Sequence, residues 1–319
     1  MTDLLVDFPE NPKPEWAEAG TFVARDGRTI RYALFPARGR PLKGTVVIMT
    51  GRNECIEKYY ETVRDLSARG LGVAIMDWRG QGGSDRMLRD RMRGYVRSFD
   101  QYVADLEQFF AEIVLPDCRG PFYVLAHSMG GLIALLAAPK LFNRVRRMVL
   151  IAPLLELVGQ PISTPALRRF ATIGSWLGLG RLYVSGGPRP PGGHPFAGNK
   201  LTSDQRRYAR NVAIYDRAPH LAMGGPTVAW IHAASVAADR VCDPDFISRV
   251  HIPILIIAAG ADAVVSTPAI EDLVRRMRSG ALLTIDGAQH EIMQEADIYR
   301  EQFLAAFDAF IPGVDAEEY

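Results

Sequence analysis

One serine in this sequence has the surroundings that nucleophilic catalysis requires. Ser128 lies in the segment Ala126-His127-Ser128-Met129-Gly130-Gly131. The apolar run Phe122–Ala126 before it is typical of a buried strand, and Leu132–Ala138 after it is typical of a buried helix. In a tight strand-to-helix turn a serine hydroxyl projects from strained backbone, and small residues two positions away let strand and helix approach. The segment has alanine at the first of these positions and glycine at the second. Ser128 is therefore predicted to be a nucleophile rather than a simple helix N-cap.

A serine nucleophile needs a base, and six histidines are available. Where strands alternate with helices around such a turn, the order along the chain is serine, acid, histidine. His290 follows the last apolar strand, Ala281–Ile285, and precedes the last helix, so its loop is expected at the same sheet edge as Ser128. We therefore predict His290 as the base. His127 is predicted to point away from the neighbouring serine, and the remaining histidines lie in an insertion or before a strand: His194, His220, His232 and His251.

The acid that orients the histidine is predicted from the same edge of the sheet. Asp262 ends Ala259-Gly260-Ala261-Asp262, directly after the apolar strand Ile252–Ala258. A carboxylate there can orient the imidazole and stabilise its cation. Glu156, after the strand that ends at Ile151, is the alternative position, whereas Asp286 is too near His290 in sequence to reach its far nitrogen. The sequence favours Asp262 over Glu156.

A glycine-containing loop, Thr50-Gly51-Arg52-Asn53-Glu54, follows the first buried strand of the core. Attack on a carbonyl creates an oxyanion, which backbone N–H groups can stabilise. We expect one such group from Met129, at the start of the helix after the serine, and the other from Arg52. A plain strand-to-helix turn at the same place is compatible with this role.

The elements that must position these residues alternate along the chain. Buried strands are predicted at Thr45–Met49, Gly72–Met76, Phe122–Ala126, Arg147–Ile151, Ile252–Ala258 and Ala281–Ile285, after a hairpin of Thr21–Arg25 and Arg28–Phe35 around Asp26-Gly27. Apolar residues at helical spacing occur between Phe99 and Ile113 and between Phe303 and Phe310. This alternation predicts an α/β fold with a mostly parallel central sheet flanked by helices.

The alternation stops between about Pro153 and Asp245. Helical patterns without strand partners and a Gly/Pro-rich stretch, Ser185–Pro195, fill this segment before the strands resume. We predict a core formed by residues 1–153 and 246–319, and a mainly helical cap formed by residues 154–245.

Composition restricts the class of protein. The formal net charge of +1 among 319 residues gives no electrostatic reason to expect nucleic acid as a partner. Cys55, Cys118 and Cys242 are odd in number and far apart, which fits a reducing cytoplasm better than a disulfide framework or a zinc site. Met1–Trp16 lacks the pattern of a signal peptide, and the longest apolar stretches fall short of the roughly 20 residues that a spanning helix needs. A cytoplasmic protein is expected, with peripheral contact to the inner face of the cytoplasmic membrane left open.

Taken together, these motifs resemble the α/β-hydrolase superfamily, and within it the branch of monoglyceride lipase and the bacterial lysophospholipase of the "L-two" type. The turn Asp77-Trp78-Arg79-Gly80-Gln81-Gly82-Gly83-Ser84 is similar to an Asp-x-Arg-Gly-x-Gly-x-Ser turn of that branch, where it is mainly structural. The resemblance extends from about Thr45 to Met293. Its most specific parts are Gly51–Glu54, Leu125–Gly131, Leu201–Asn211 and Gly224–Trp230.

The resemblance implies a serine hydrolase that cleaves a small lipid-like carboxylic ester, as a lysophospholipase or a monoacylglycerol lipase does, without a metal or an organic cofactor. A general carboxylesterase, a peptidase or an acyltransferase of the same fold is an alternative, and a non-catalytic binding protein is a more distant one. Glu54 is a candidate contact for a glycerol hydroxyl. Arg206 and Arg210, on one face of a predicted helix, are candidate phosphate contacts or simply a solvated face. The oligomeric state is not predicted.

Overall fold

The central element of the protein is an eight-stranded sheet. The computed structural model describes residues 4–158, 164–190 and 192–311. The predicted core and cap ranges also include residues 1–3, 159–163, 191 and 312–319, which lie outside the described residues. All six predicted strands and both hairpin strands are present, but the last of the six, predicted to be buried, lies at the edge of the sheet and is only partly buried. They are β1 (Glu18–Val23), β2 (Thr29–Phe35), β3 (Gly44–Met49), β4 (Leu71–Met76), β5 (Phe122–His127), β6 (Val145–Ile151), β7 (Ile254–Ala259) and β8 (Gly280–Ile285).

The strands are arranged in the order β1-β2-β4-β3-β5-β6-β7-β8. Strand β2 runs antiparallel to both of its neighbours, β1 and β4. All other neighbouring strands pair in parallel. The predicted mostly parallel sheet is thus confirmed. Every residue of β3, β4 and β7 is buried, which explains why their sequences are continuous apolar runs rather than alternating ones.

Helices cover the sheet. Helix α2 begins where Ser98 accepts a hydrogen bond from the N–H of Asp100, and it continues into a π-helical turn at Phe110–Val114. Helix α4 follows β5 directly and is apolar around most of its circumference, because it is buried at the centre of the molecule. The α-helices are α1 (Tyr60–Ala68), α2 (Phe99–Phe109), α3 (Leu115–Asp117), α4 (Met129–Leu141), α5 (Thr164–Trp176), α6 (Gln205–Arg217), α7 (Val228–Val241), α8 (Pro244–Ile247), α9 (Thr267–Arg276) and α10 (Asp297–Phe310).

Between β6 and β7 the chain forms a helical layer, and we call residues 164–190 and 192–241 the cap. Helix α5 packs against α7, and α7 packs against α4 of the core. The Gly/Pro-rich stretch is fastened to the loop before α7, since Val184 N–H donates to Pro226 O and Gly225 N–H donates to Gly187 O. The predicted cap boundary at residue 245 falls inside α8. No helix in the described part of the chain combines the length and the apolar character that membrane crossing requires.

The parallel strands place four loops at one edge of the sheet. The loops after β3, β5, β7 and β8 all leave the carboxyl ends of strands that share one direction. Ligands of open α/β sheets bind at this edge. The residues predicted to do chemistry lie on these four loops.

Candidate active site

Ser128 lies in the tight turn that its sequence predicts. It connects β5 to α4 with φ of 51° and ψ of −113°, a strained conformation for a residue with a side chain. Backbone hydrogen bonds hold the turn: Ser128 N–H donates to Ile151 O, and Leu154 N–H donates to Ser128 O. The small residue at position 130 is required, because a Cβ on Gly130 would lie 2.1 Å from Met49 O.

Three side chains from three loops meet at this turn. His290 Nε2 lies 3.0 Å from Ser128 Oγ, and His290 Nδ1 lies 2.8 Å from Asp262 Oδ2. The carboxylate can only accept, so Nδ1 carries a proton and Nε2 is left to accept the proton of the serine hydroxyl. The structure thus brings together the three residues that the sequence predicted as nucleophile, base and acid.

The surroundings of Asp262 keep it ionised. Its side chain is buried, which by itself would raise the pKa, but the hydrogen bond and charge of His290 outweigh this effect. Two backbone N–H groups, of Val264 and Val265, donate to Oδ1 and contribute in the same direction. The net result is a lowered pKa for Asp262. Glu156, the alternative acid, lies on a different cleft, where it lines an apolar wall with Leu154 and its neighbours.

The predicted oxyanion loop, residues 50–54, lies beside the serine turn. Met129 is the first residue of α4, so its N–H has no acceptor within the helix and is free for a ligand. On the loop, the side chain of Gln81 donates to Gly51 O at 2.8 Å and accepts from the N–H of Asn53 at 3.2 Å. Gln81 belongs to the turn Asp77–Ser84, which therefore supports the loop structurally.

The cap also holds this loop. The guanidinium of Arg52 donates to Gly224 O at 2.6 Å and lies over the ring of Trp230 at 5.2 Å. The hydroxyl of Tyr215 donates to Asn53 O at 2.8 Å. Burial lowers the pKa of Arg52 to about 10. The oxyanion loop is thus fixed between the sheet below and the cap above.

Glu54 does not face a substrate, in contrast to its predicted contact with a glycerol hydroxyl. Its side chain is buried, and protein donors fill the positions around both carboxylate oxygens. Lys58 Nζ lies 2.7 Å from Oε1, and the hydroxyl of Tyr59 lies 2.5 Å from Oε2. The N–H of Gly51 donates to Oε2 as well. No acceptor site is left for a ligand, so the carboxylate serves the interior of the protein.

His127 contributes in a way that sequence reasoning missed. It does point away from the serine hydroxyl, but its Nε2 lies 3.2 Å from His290 O and its Nδ1 lies 3.1 Å from Glu54 Oε1. The rings of His127 and His290 are 4.9 Å apart between centroids. The sequence carries no signal for this role of His127 itself. It carries one for the charged side chains beside it, because Glu54 and Lys58 are four residues apart, a spacing that favours an ion pair on a helical turn.

Arg206 and Arg210 lie on α6, at an external cavity of about 680 Å³ whose walls do not include Ser128 or His290. Arg210 donates to Glu61 Oε2 at 2.6 Å and to Gln294 Oε1 at 2.7 Å, so its charge is already compensated. Arg206 is exposed at the mouth of this cavity. The predicted phosphate contact therefore has no support at the serine from either side chain. In the described residues no cluster of three or more His, Cys, Asp or Glu side chains could hold a metal ion.

Comparisons with known proteins identify the family of the chain. The family described as "Serine aminopeptidase, S33" matches residues 40–297 of the chain. Lysophospholipase L2 of Escherichia coli strain K12 is 33% identical over 306 residues, which cover 91% of this chain and 86% of that protein. Human monoglyceride lipase is 26% identical over 277 residues, covering 86% of this chain and 83% of that protein.

Solved structures show the same fold. A soluble variant of monoglyceride lipase from Saccharomyces cerevisiae, in complex with a substrate analogue, superposes with a TM-score of 0.74 over 92% of this chain and 94% of that chain, at 19% identity. The resemblance predicted from the motifs is confirmed by these findings. The chain belongs to the serine aminopeptidase S33 family of α/β-hydrolases, in the branch that includes lysophospholipase L2 and monoglyceride lipase.

Proposed function

We propose that this protein hydrolyses the carboxylic ester of a single-chain lipid, a lysophospholipid or a monoacylglycerol, through an acyl-serine intermediate on Ser128. One observation carries the proposal. A single imidazole, that of His290, is within hydrogen-bond distance of the serine hydroxyl on one side and of a buried carboxylate on the other. This is the arrangement that activates a serine for attack on an acyl carbon.

In the first half-reaction Ser128 Oγ forms a bond to the ester carbonyl carbon while His290 Nε2 takes the hydroxyl proton. Asp262 stabilises the imidazolium that results, through the hydrogen bond to Nδ1. The carbonyl oxygen becomes an oxyanion, and the N–H groups of Arg52 and Met129 are proposed to bind it. When the carbon–oxygen bond to the alcohol breaks, Nε2 returns the proton to the leaving oxygen.

Water completes the cycle at the same groups. His290 Nε2 takes a proton from a water molecule whose oxygen attacks the acyl-serine carbonyl. The second oxyanion collapses, the bond to Ser128 Oγ breaks, and the proton passes from Nε2 to the serine oxygen. The products are a free fatty acid and the alcohol, and no oxidant, metal or organic cofactor takes part in the proposed steps.

Apolar side chains on the loop after β6, which is hydrogen-bonded to the serine turn, support an acyl chain as the substrate group. Leu154 is hydrogen-bonded to Ser128 through its backbone, and its side chain begins a cleft between the loop after β6 and the cap helices α5 and α7. Leu167 and Ile231 form the opposite walls. The cap, proposed to span residues 154–245, therefore has an apolar underside against this loop, in a cleft of about 30 Å³ whose walls do not include Ser128 or His290. The remaining lining residues are Leu155, Glu156, Leu157, Arg168, Ala234, Ser235 and Ala238.

The outer surface of the cap supports contact with a membrane. Trp176 is 88% exposed, and five further large apolar side chains nearby along the chain are at least 46% exposed: Phe170, Ile173, Leu177, Leu179 and Leu182. Residues 164–190 contain four arginines and no acidic residue. Exposed aromatic and aliphatic side chains next to basic ones favour the surface of an anionic bilayer. We propose that this surface brings the enzyme to the membrane that holds its substrate.

The first test replaces the nucleophile. Ser128→Ala is expected to lower p-nitrophenyl ester hydrolysis by roughly 10⁴-fold or more, with an unchanged circular dichroism spectrum. A fluorophosphonate probe should label the wild-type protein at Ser128 and leave the variant unlabelled. Ser98→Ala is the matched control, because Ser98 only caps α2, and it should retain activity. Activity in purified Ser128→Ala would sink the proposal.

The second test defines the substrate. We expect lysophosphatidyl lipids and monoacylglycerols to be cleaved with higher kcat/KM than short p-nitrophenyl esters, because a long chain can bury more apolar surface against the cap. Amides of the same acyl chains should react much more slowly. Preference for amides would indicate a peptidase, and diacyl product from mixed lipids would indicate an acyltransferase.

A further inference from the structure

A cluster of buried charges lies directly beneath the three catalytic loops. Lys58 Nζ is 2.7 Å from Glu54 Oε1 and 2.7 Å from Glu291 Oε1. His127 completes the cluster, with Nδ1 at 3.1 Å from Glu54 Oε1. All four side chains are at most 10% exposed. None of these four side chains contacts Ser128 Oγ, so none of them takes part in the proposed reaction steps.

Three members of the cluster belong to three different catalytic loops, and Lys58 joins two of them through Glu54 and Glu291. Glu54 accepts from Gly51 N–H and so fixes the oxyanion loop. His127 is the residue before the nucleophile, and its Nε2 lies 3.2 Å from the carbonyl oxygen of His290. Glu291 directly follows His290 and is held by Lys58. The nucleophile turn, the oxyanion loop and the histidine loop are therefore tied to one another through these four side chains.

The hydrogen-bond partners of His127 define its protonation state. Nε2 faces a backbone carbonyl, which can only accept, so Nε2 carries a proton. Nδ1 faces Glu54, whose two oxygens also receive Lys58 Nζ, Tyr59 Oη and Gly51 N–H. An ionised carboxylate with these partners can only accept, so Nδ1 carries a proton too. With an imidazolium, the two cations and two anions of the cluster balance, as a buried site requires.

We propose that His127 is a positioning residue that must be doubly protonated to hold the oxyanion loop and the histidine loop in their catalytic arrangement. The inference rests on the proposed function, because it concerns how the same triad is held. It makes the enzyme sensitive to alkaline pH through a group that never touches the substrate. Loss of either ring proton frees Glu54 or the His290 carbonyl, and the two loops lose their common anchor.

The charges around His127 favour its doubly protonated form. Burial alone would lower the pKa of His127, but the charge and hydrogen bond of Glu54 outweigh it, and the pKa is raised. The charge of Glu291 also raises the pKa of His127, and the charge of Lys58 lowers it. His290 and Tyr59 are the other titratable side chains near this ring and around Glu54. Because the folded pKa is raised, the anchoring is complete below the unfolded pKa of about 6.5 and is lost as pH rises through the folded pKa.

The experiment measures kcat and KM for a p-nitrophenyl ester against pH in the wild type and in His127→Gln. We expect kcat of the wild type to fall on the alkaline side, and His127→Gln to have roughly 10- to 100-fold lower kcat with little change in KM, since small misplacement of catalytic groups has effects of about this size. The alkaline fall should be absent from the variant. A purely structural role of His127 would lower the amount of folded protein but would not change the shape of the pH profile.

Asp105→Asn is the matched control. It weakens a buried ion pair with Arg79, in which none of the four side chains of the cluster takes part, so it should lower stability while keeping the wild-type pH profile. Lys58→Met should reproduce the low kcat. Lys58→Arg should keep most of the wild-type kcat, because an arginine can still bridge Glu54 and Glu291. If His127→Gln does not fold, nitrogen-15 NMR of histidine-labelled wild type at pH 7 should show both ring nitrogens of His127 protonated.

An unchanged alkaline limb in folded His127→Gln would overturn the proposal, as would an NMR signature of neutral His127. Fluorophosphonate labelling separates this failure from failure of the proposed function. If Ser128 of the wild type is labelled and the pH profile of His127→Gln is unchanged, only the positioning role is refuted. If Ser128 is not labelled in the wild type, the proposed function itself fails.

Discussion

The catalytic edge of the core and the cap above it handle charge and apolar surface in opposite ways. Beneath the active site, cations and carboxylates are buried and paired, as in the contact of Arg31 with Glu57 and Asp77 and in the cluster of Lys58 with Glu54 and Glu291. In the cap, Trp176 and its apolar neighbours are exposed, and the arginines of residues 164–190 have no acidic residue within that segment. The buried ion pairs hold the core in one geometry, whereas the exposed apolar surface of the cap is proposed to contact a membrane.

The largest expected effect belongs to the core. Asp262→Asn should lower kcat by about 10⁴-fold, because the amide no longer fixes the histidine tautomer or stabilises its cation. Thermal unfolding should change little, and steady-state ester hydrolysis measures the loss. Glu156→Gln, at the border of the cap, is the comparison and should stay within a few-fold of wild type. If Glu156→Gln lost more kcat than Asp262→Asn, Glu156 rather than Asp262 would be the acid that orients His290.

Glycine substitutions compare the rigidity of the two regions. Gly130→Ala should cost about 3 kcal/mol of unfolding free energy, because the new Cβ would lie 2.1 Å from a backbone oxygen that cannot move independently. Gly174→Ala, inside α5 of the cap, meets only a side-chain carbon of Val228 at 3.1 Å. Its effect should stay within about 1 kcal/mol, since helix propensity favours alanine. Chemical denaturation measures both values, and equal losses would contradict the comparison.

One carboxylate joins the two regions, and it should make their connection sensitive to acid. Burial opposes ionisation of Glu61 on α1, but hydrogen bonds and charges of Arg207 and Arg210 on α6 lower its pKa to about 2. A lowered pKa adds stability above the unfolded value near 4.3, and this stability is lost as pH falls toward 2. Glu61→Gln should therefore cost about 2 kcal/mol at neutral pH and almost nothing near pH 2. A cost that is the same at both pH values would show that Glu61 does not act through its charge.

The smallest effect on the folded protein is expected at the cap surface. Trp176→Ser should change unfolding free energy by less than about 0.5 kcal/mol, because the side chain is 88% exposed. Binding to vesicles of phosphatidylcholine and phosphatidylglycerol should fall about tenfold, in line with the apolar area that a bilayer would bury. Ile298→Ser changes another apolar residue, 68% exposed on α10 and outside residues 164–190, and should not alter binding. Equal losses in both variants, measured by co-sedimentation, would refute a localised surface.

The sequence predicted the sheet well because several of its central strands, such as β3, β4 and β7, are buried along their whole length. Continuous β-branched runs such as Val46–Ile48 require no knowledge of their neighbours. The loops after these strands were predictable for the same reason, since parallel strands bring their carboxyl ends together. That is why Ser128, Asp262 and His290 could be selected before their distances were known.

The roles of individual polar side chains were harder to predict. Glu54 and His127 are 73 positions apart, and His127 and His290 are 163 positions apart. Neither periodicity nor motif spacing encodes which oxygen such a side chain reaches after folding. Glu54 looked like a ligand contact because it follows the oxyanion loop, and Arg210 looked available because its partner Glu61 lies 149 positions earlier. Buried polar networks are tertiary features, so they had to be observed.

The placement of the cap within the chain has an evolutionary consequence. Strands β6 and β7 are parallel neighbours, and any such pair needs a crossover connection of a dozen or more residues. Here residues 152–253 form that connection, so the cap is an expanded version of a link that the sheet requires in any case. Its length and composition can change without shifting the register of a single strand pair. A lineage can thus exchange the part of the molecule that is proposed to contact the substrate while inheriting the catalytic edge intact.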